Sequence, residues 1–501
     1  MDRAFLDAAA LCSHLVAEGS VHALLAEHRT RLFPDEMFAD LFASGRGRPS
    51  VPADVIATVM VLQALEGLSD SEACRALQTD IAWKAACGLA LTDEAFHPTV
   101  LTLWRAKLRT SEHPQRIFDA VRDVVSASGA IAGKHRRALD STVLDDAVQR
   151  QDTITMITTQ MRRVRKLVPE LTRVFVHEEN LQGGRPPADY EDRADIERLV
   201  SVLVEDANEL VFAAEELDLD EAQADAVALL ALVAGQDVEP TDRPGRWRIA
   251  TRTAPDRVVS VVDPESRHVH KTTHSYRDGY KAHVAVEPDT GLITATHLGA
   301  ANLGDAEAAP GLLEGEPAGT EVLGDSAYGS GELRAHLEKE KMTAVIKPGP
   351  LRAAVPGGYT LDDFVVDHDA ATVTCPEGVT VAIGRSRTAR FRANCESCPM
   401  RYLCTTATAG RVIKLHPHHD LLAAAREKAR TDAFVETYRH DRPMVERSLA
   451  WLVRKNSRRL AYRGSIANAM WLAHRAAAVN LMRMVNLGLT YNEIGWTMAV
   501  E

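Results

Sequence analysis

Apolar side chains recur at helical spacing along the first quarter of the chain. From residue 51 to residue 89, the run VPADVIATVMVLQALEGLSDSEACRALQTDIAWKAACGL places them three and four residues apart, which predicts packed helices. Ser69 and Ser71 offer hydroxyl N-caps near the start of SEACRAL. Two helices of this kind occur in DNA-binding helix–turn–helix motifs and also in structural bundles. We predict an N-terminal helical domain over residues 1–125, with both roles open.

After residue 125 the pattern changes to short runs rich in β-branched residues. SGAIAGKHRRALDST predicts a turn and a short strand that ends at Asp140. RVVSVVDPE and GYKAHVAVEPDTGLITATHL, within residues 257–298, predict strands with a hairpin turn at PDTG. TEVLGDSAYGSGELRAHLEKEKMTAVIKPGP predicts a strand to Asp325, a helix capped by Ser330 and a second strand, which together form a β-α-β unit.

Two inserts divide these strands. One returns to helical spacing and the other carries four cysteines, while the last part of the chain is again helical. We therefore predict an α/β fold in which a mixed sheet with flanking helices is assembled from three separate segments. The core segments are 126–148, 255–348 and 412–487; the helical acidic insert is 149–254 and the cysteine-bearing insert is 349–411.

Composition limits the class of protein. A length of 501 residues suggests about three domains. No window of about 18 uncharged apolar residues occurs, which argues against a membrane span. The first 20 residues lack a basic stretch ahead of their apolar ones, so they favour an amphipathic helix over a signal peptide. We expect a cytoplasmic protein.

Charge is distributed unevenly. The net charge is −12, and residues 187–240 alone carry −14, so the remainder of the chain carries +2. For the acidic stretch, a solvated helical insert, a DNA mimic and a spacer all remain open. The segment 447–463 holds six basic residues and no acidic one. Such a local patch indicates contact with nucleic acid, although a solvated helix face is the alternative.

Three carboxylates stand out by position. Asp140 and Asp325 each lie at the carboxyl end of a predicted strand, where the active sites of open α/β sheets gather. Glu446 lies one turn into a predicted helix that has Pro443 in its first turn. Three such groups suit Mg²⁺, which binds few protein carboxylates, and a pair of ions can drive phosphoryl transfer. A helix cap or a salt bridge is the alternative role for each aspartate.

The seven cysteines fall into two groups. Cys12, Cys74 and Cys87 are scattered in helical sequence, and we expect them to be buried apolar residues. The others form a cluster that contains a C-x-x-C pair and suits a closed, structural Zn²⁺ site. The alternative is a set of reduced thiols without metal. The clustered residues are Cys375, Cys395, Cys398 and Cys404.

Motifs along nearly the whole chain resemble those of the DDE transposases of bacterial insertion sequences, in the branch with an N-terminal helical transposase domain and a cysteine cluster. ALDST resembles the first-Asp motif, VLGDSAYGS the second-Asp motif and YRHDRPMVERSLAWLVRKNSRRLAYRG the Tyr-Arg-Glu-Lys signature. PDEMFADLFASGRGRPSVPADVIATVMVLQALEGLSDSEACRALQTDIAWKAACGL resembles the N-terminal domain. DPESRHVHKTTHSYRDGYKAHVAVEPDTGLITATHLGAANLGD resembles the intervening strand pair, and ANAMWLAHRAAAVNLMRMV the closing helix.

The resemblance implies a fold, a reaction and its residues. It implies an RNase H-like core in which Asp140, Asp325 and Glu446 are catalytic and bind two Mg²⁺ or Mn²⁺ ions. Such an enzyme nicks the terminal inverted repeats of its element and joins the 3′-hydroxyl to target DNA, as a homodimer on DNA. A catalytically silent DNA-binding derivative is the main alternative. A metal-dependent phosphatase or simple nuclease, which needs no terminal sequence, is the third.

The signature around Glu446 departs from the family pattern in two places. Tyr438 lies one residue farther from the glutamate than expected, whereas Arg442 keeps its spacing. The signature lysine would fall at Val453, so Arg454 and Lys455 are the nearest candidates for it, and Glu436 is the alternative glutamate. Basic and aromatic residues here are expected to contact DNA, with Trp451 either stacked on a base or buried in an interface. The expected DNA-contacting residues are Tyr438, Arg442, Arg447, Trp451, Arg454, Lys455 and Arg458.

Helical spacing makes a further prediction for this segment. Arg447, Trp451, Arg454, Lys455 and Arg458 recur three and four residues apart, so we expect most of them on one helix face. The opposite face, with Leu449, Leu452 and Val453, is expected to pack on the sheet.

Overall fold

The computed structural model describes residues 6–41, 51–272 and 275–499. Helices make up the N-terminal region, as predicted, although part of that prediction lies in residues 1–5 and 42–50, outside the described residues. Ser69 caps the fourth helix by accepting from the backbone N–H of Glu72, whose carboxylate accepts from Ser69 in return. These helices are α1 (Ala8–Cys12), α2 (Val21–Leu32), α3 (Ala53–Glu66), α4 (Asp70–Thr79), α5 (Ile81–Ala86), α6 (Thr99–Thr110) and α7 (Arg116–Ala127).

The first strand of the sheet, β1 (Arg136–Asp145), precedes the predicted acidic insert. The insert is helical, as predicted, and has an apolar cluster of its own. Its core is built from residues such as Met161, Leu203 and Leu230, which are fully buried. The elements of the insert are α8 (Thr153–Leu167), α9 (Arg193–Ala214), α10 (Glu221–Gln236), β2 (Val238–Pro240) and β3 (Trp247–Ile249).

Five further strands complete a six-stranded mixed sheet in the described residues. Its order is β4-β5-β1-β7-β8, with β6 also paired to β5. β1 is antiparallel to β5 and parallel to β7, and β7 is parallel to β8. The mixed α/β fold and the β-α-β unit are therefore confirmed. The elements are β4 (Arg267–Thr272), β5 (Ser275–Val286), β6 (Ile293–Ala300), α11 (Asp305–Leu312), β7 (Glu321–Gly324), α12 (Gly331–Lys339) and β8 (Thr343–Ile346).

The strand predicted at residues 257–265 is wrong. Only Val258 forms a β-bridge there, with Arg267. Side chains take the place of a neighbouring strand, because Gln236 accepts from the Val258 N–H and Gln151 accepts from the Val261 N–H. Backbone groups that are hydrogen-bonded in this way need no partner strand. This apolar, β-branched run therefore does not pair with a neighbouring strand.

Short strands characterise the cysteine-bearing insert and the segment after it. Their apolar cluster is small and is separate from that of the sheet. Three strands form one sheet and two form another. The elements are β9 (Val365–Asp367), β10 (Thr372–Thr374), β11 (Thr380–Ala382), β12 (Thr388–Arg390), α13 (Arg401–Cys404) and β13 (Val412–Lys414).

Three helices and a hairpin end the described chain: α14 (His419–Lys428), α15 (Asp432–Leu452), α16 (Ser465–Asn486), β14 (Leu489–Asn492) and β15 (Gly495–Met498). The prediction that Pro443 lies in a first helical turn is wrong, because α15 begins at Asp432 with Thr431 as its cap. α15 and α16 share one large apolar cluster with the sheet and the N-terminal helices. Leu449 and Leu452 are buried in it, as predicted. No helix of the described chain is long and apolar enough to cross a membrane.

The predicted common helix face of the basic residues is also wrong. α15 ends at Leu452, before Arg454 and Lys455. Arg475 of α16 donates to the carbonyl oxygens of Trp451 and Leu452 at 2.8 and 2.9 Å. A guanidinium on the terminal carbonyls stabilises a helix end. The chain then turns through Lys455 and Asn456, which both have positive φ.

Arg475 also ties the N-terminal helices to the core, since its Nη1 donates to the carbonyl oxygen of Ala64 in α3. Because Arg475 is buried, Arg475→Met removes a donor from three carbonyl groups, of which that of Trp451 keeps the Arg454 N–H at 3.3 Å, and we expect a loss of about 3 kcal/mol in the free energy of unfolding. Denaturant unfolding measures it. The control is Arg463→Met, at an exposed site, with an expected change within about 0.5 kcal/mol. Equal effects of the two substitutions would contradict this role.

Candidate active site

Asp140 and Asp325 stand side by side because of the parallel pairing of β1 and β7. The register pairs Ala138 with Leu323, so two residues farther along each chain Asp140 is level with Asp325. Asp325 directly follows β7, as predicted. Asp140 does not end its strand, because β5 pairs with β1 as far as Asp145. Asp140 lies instead just past the last residue of β1 that pairs with β7. It is therefore still at the carboxyl edge of the parallel strands β1 and β7.

A single guanidinium lies between these two carboxylates. Nη2 of Arg442, from α15, is 3.0 Å from Oδ1 of Asp140 and 3.9 Å from Oδ2 of Asp325. Arg442 is 6% exposed, and its Nε and Nη1 are buried without a hydrogen-bond partner. Asp140 also accepts from the N–H of Ser141, and Asp325 from that of Ala327. The site therefore gathers two carboxylates around one cation that has Tyr438 as a further neighbour.

Burial determines the electrostatics of Asp140. Burial raises the pKa of Asp140 above its ordinary value, and the neighbouring charge of Asp325 raises it further, while Arg442 opposes both. Burial lowers the pKa of Arg442, but Asp140 and Tyr438 together outweigh it, so the pKa of Arg442 is raised. A carboxylate in this position favours a cation beside it, and here that cation is the guanidinium.

Glu446 lies on the same stripe of α15. Tyr438, Arg442 and Glu446 are spaced four residues apart and therefore share a helix face. Burial raises the pKa of Tyr438, and the charges of Asp325 and Glu446 both add to the shift. Glu446 thus lies on the side of the helix that faces the aspartates, and its side chain is exposed. Glu436, two residues before Tyr438, is exposed on a different face.

The sequence analysis did not identify two residues near Asp140, Asp305 and Tyr328. Asp305, at the start of α11, accepts from Ser141 Oγ at 2.8 Å and lies 3.4 Å from Lys281 Nζ. The phenol of Tyr328 is buried without a hydrogen-bond partner. Burial raises its pKa, as do the charges of Asp305, Asp140 and Asp325. The signal in the sequence was an aspartate that opens a helix directly after the strand-pair motif.

In the structure, some of the expected DNA-contacting residues are exposed and others contact the protein itself. Arg447, Arg454 and Lys455 are exposed. Arg458 instead donates to Thr142 Oγ1 at 3.0 Å and to the carbonyl oxygen of Val143 at 3.1 Å, so it supports β1.

Trp451 has a protein partner for its ring. The ring is half-buried, and the Arg483 guanidinium lies 5.0 Å from its centre. This cation–π contact favours the interface role that the sequence left open, because it occupies a face on which a base would stack.

The four clustered cysteines line one cavity of about 270 Å³. Of the scattered ones, Cys74 and Cys87 are buried as expected, whereas Cys12 is only partly buried. Among the described residues, no three or more His, Cys, Asp or Glu side chains are arranged so that they could hold a metal ion as they stand. This applies to the carboxylates as well as to the thiols.

Comparisons with known proteins agree with the resemblance. Residues 20–107 match the family model described as a transposase domain (DUF772), and residues 374–485 match that of a transposase DDE domain. A curated relative is the transposase for insertion sequence element IS1106 of Neisseria meningitidis serogroup B, which is 33% identical over 95 residues. That alignment covers 19% of this chain and only 31% of the relative. No solved structure matches.

The DDE match includes Arg442 and Glu446, while Asp140 and Asp325 lie outside both matched segments. Only the geometry of the site connects these two aspartates with the matched region. The chain therefore carries a segment similar to a transposase DDE domain behind an N-terminal segment similar to a DUF772 transposase domain, and it is a distant homologue of the IS1106 transposase.

Proposed function

We propose that this protein is an active transposase that cuts DNA at the ends of its own element and joins the freed 3′-hydroxyl to target DNA. The observation that carries the proposal is the pair of carboxylates, Asp140 and Asp325, around the Arg442 guanidinium, with Glu446 one turn along the same helix. The mixed sheet that carries them supports an RNase H-like core.

The residues at this site fit divalent metal ions. Asp140, Asp325 and Glu446 supply hard oxygen donors of the kind that Mg²⁺ and Mn²⁺ prefer, and two of them already share a cation. A bound pair of ions would supply activation of the attacking hydroxyl and stabilisation of the leaving oxygen. Because no three of these groups form a ready ion site, the guanidinium has to move aside for the carboxylates to close on metal.

Arg442 has a second part in the proposal. Its Nε and Nη1 are buried without partners, and a guanidinium binds phosphate oxygens through two parallel hydrogen bonds. A DNA phosphate at this site would satisfy both donors. Arg442 would thus leave the carboxylates for the scissile strand as the metal ions bind, while Tyr438 stays beside it on the same face of α15.

The DNA path is proposed along the exposed basic residues that follow Glu446. Arg447, Arg454 and Lys455 remain in this set, and Arg458 and Trp451 leave it, since both have protein partners. The DNA would carry the terminal inverted repeats of the element, and two copies of the chain would assemble on it. We also propose that the domains divide as predicted from the sequence and that the protein is cytoplasmic.

A strand-transfer assay tests the proposed function. Purified protein, Mg²⁺ and a labelled duplex with the DNA that flanks this reading frame are expected to give nicked ends and joined products. A scrambled duplex is the control. Binding without nicking would support the silent derivative instead. Nicking of both duplexes without joining would support a simple nuclease.

The salt dependence of DNA binding tests the path. Each phosphate that a protein neutralises releases counterions, so Arg454→Ala with Lys455→Ala is expected to reduce the log–log salt slope by about two units on duplex DNA. The control is Arg193→Ala with Arg198→Ala, which removes the same charge from exposed sites on α9. An unchanged slope in the first variant, or an equal fall in both, would place the DNA elsewhere.

A further inference from the structure

Four cysteines that the proposed reaction does not use meet at one cavity of the small insert. Cys375, Cys395, Cys398 and Cys404 all line this space of about 270 Å³, and all are free thiols. Cys395 and Cys404 are each 8% exposed. The four cysteines therefore border one small space.

Separate turns of the backbone bring these residues together. Cys375 opens the turn between β10 and β11, where the N–H of Gly378 donates to its carbonyl oxygen at 2.9 Å. Cys395 ends a 3₁₀ turn, Cys398 follows three residues later, and Cys404 ends α13. The N–H of Arg411 donates to Cys395 Sγ at 3.4 Å. A backbone donor on the sulfur is the kind of contact that stabilises a thiolate.

The insert has little else to hold it together. Its strands are three residues long, and its apolar cluster has eight buried members, two of which are Cys395 and Cys404. Modules with so small a core generally depend on disulfides or a structural metal. Disulfides are absent among these free thiols.

We propose that Cys375, Cys395, Cys398 and Cys404 bind one zinc ion as four thiolates and that this ion holds the insert in its fold. Four sulfur ligands suit tetrahedral Zn²⁺ and leave no open position, so the role is structural. The sulfurs line the cavity but do not yet form an ion site, and binding draws them inward and releases their protons. The proposal is independent of the strand-transfer reaction.

Metal analysis of the purified full-length protein tests the proposal. We expect about one zinc per chain and, in Cys375→Ser and in Cys404→Ser, less than about a tenth of that content. The matched control is Cys12→Ser, at a partly buried cysteine outside the cavity, which is expected to keep its zinc. Loss of zinc from the control, or full zinc in both cavity variants, would overturn the assignment.

Cobalt substitution covers the case in which the serine variants fail to fold. Wild-type protein reconstituted with Co²⁺ is expected to show the intense absorption of tetrahedral cobalt bound by thiolates, and added Zn²⁺ should displace it. Wild-type protein that takes up neither metal, that holds iron in their place, or that has a disulfide between two of the four cysteines in a peptide map would contradict a zinc site.

Discussion

Asp140→Asn, Asp325→Asn and Glu446→Gln are each expected to reduce cleavage and joining at least a thousandfold. Each substitution keeps the size of the side chain and removes the charge that would bind metal. Metal ions contribute several kcal/mol to phosphoryl transfer, which corresponds to about three powers of ten in rate. The measurement is single-turnover cleavage and joining of the element-end duplex with Mg²⁺. DNA binding in a gel-shift assay is expected to persist, because the substitutions leave the basic residues proposed to contact phosphates in place.

The matched control for the third carboxylate is Glu436→Gln. Glu436 lies ten residues earlier on the same helix and is also exposed, but it lies on a different face from Arg442 and Glu446. It is expected to keep wild-type activity. Activity retained in Glu446→Gln and lost in Glu436→Gln would reverse the assignment. Wild-type rates in either aspartate variant would remove that residue from the site.

Most elements of the sheet could be predicted from sequence, because local signals define them. The β-α-β unit from Asp325 onward has a strand, a hydroxyl cap at Ser330 and a second strand in unbroken succession, and all three are found. The run at residues 257–265 shows the limit. It has strand composition, but Gln151 and Gln236, distant in sequence, occupy its backbone donors. The composition of the run does not indicate that side chains distant in sequence will accept from its backbone N–H groups.

The ends of α15 could not be predicted for a similar reason. Pro443 is typical of a first turn, yet the helix begins eleven residues earlier at Asp432, and the proline is accommodated in its interior. The other end is fixed by Arg475 of α16, which takes the last carbonyl groups. Both outcomes depend on tertiary contacts that propensity does not contain. The face predicted for Arg454, Lys455 and Arg458 failed because it assumed a longer helix.

The candidate site was found by motif, while its detailed arrangement needed the structure. The register of β1 against β7 explains why Asp140 and Asp325 are level although 185 residues separate them. The sequence marked Arg442 only as a residue that contacts DNA. Its position between the two carboxylates, and the partly buried Asp305 and buried Tyr328 behind them, depend on how three elements pack. No local pattern encodes that arrangement.

Arg442→Met is expected to destabilise the metal-free protein at neutral pH by about 3 kcal/mol. The substitution keeps a long side chain and removes the cation from between Asp140 and Asp325. Removing one partner of a buried ion pair leaves a buried charge without compensation. Burial already raises the pKa of Asp140, and Arg442 opposes that shift. The pKa of Asp140 should therefore rise further in the Arg442→Met variant.

A carboxyl group whose pKa is raised on folding contributes stability below its unfolded pKa, about 3.9, and loses it as pH rises through the folded pKa. The deficit of the Arg442→Met variant should therefore be small near pH 4 and should grow toward pH 7. Thermal unfolding in EDTA across this range measures it. In the Asp140→Asn background, the same substitution should lose most of this pH dependence.

Divalent ions should reverse the effect of Arg442→Met, because an ion can take the place that the guanidinium leaves. We expect Mn²⁺ to raise the unfolding temperature of the variant more than that of the wild type, since ligands that bind only the folded state stabilise it according to their affinity. A tighter Mn²⁺ dissociation constant for the variant, measured by electron paramagnetic resonance of the free ion, would agree with this. Equal or weaker Mn²⁺ binding in the variant would show that the guanidinium does not compete with metal and that Arg442 acts on DNA alone.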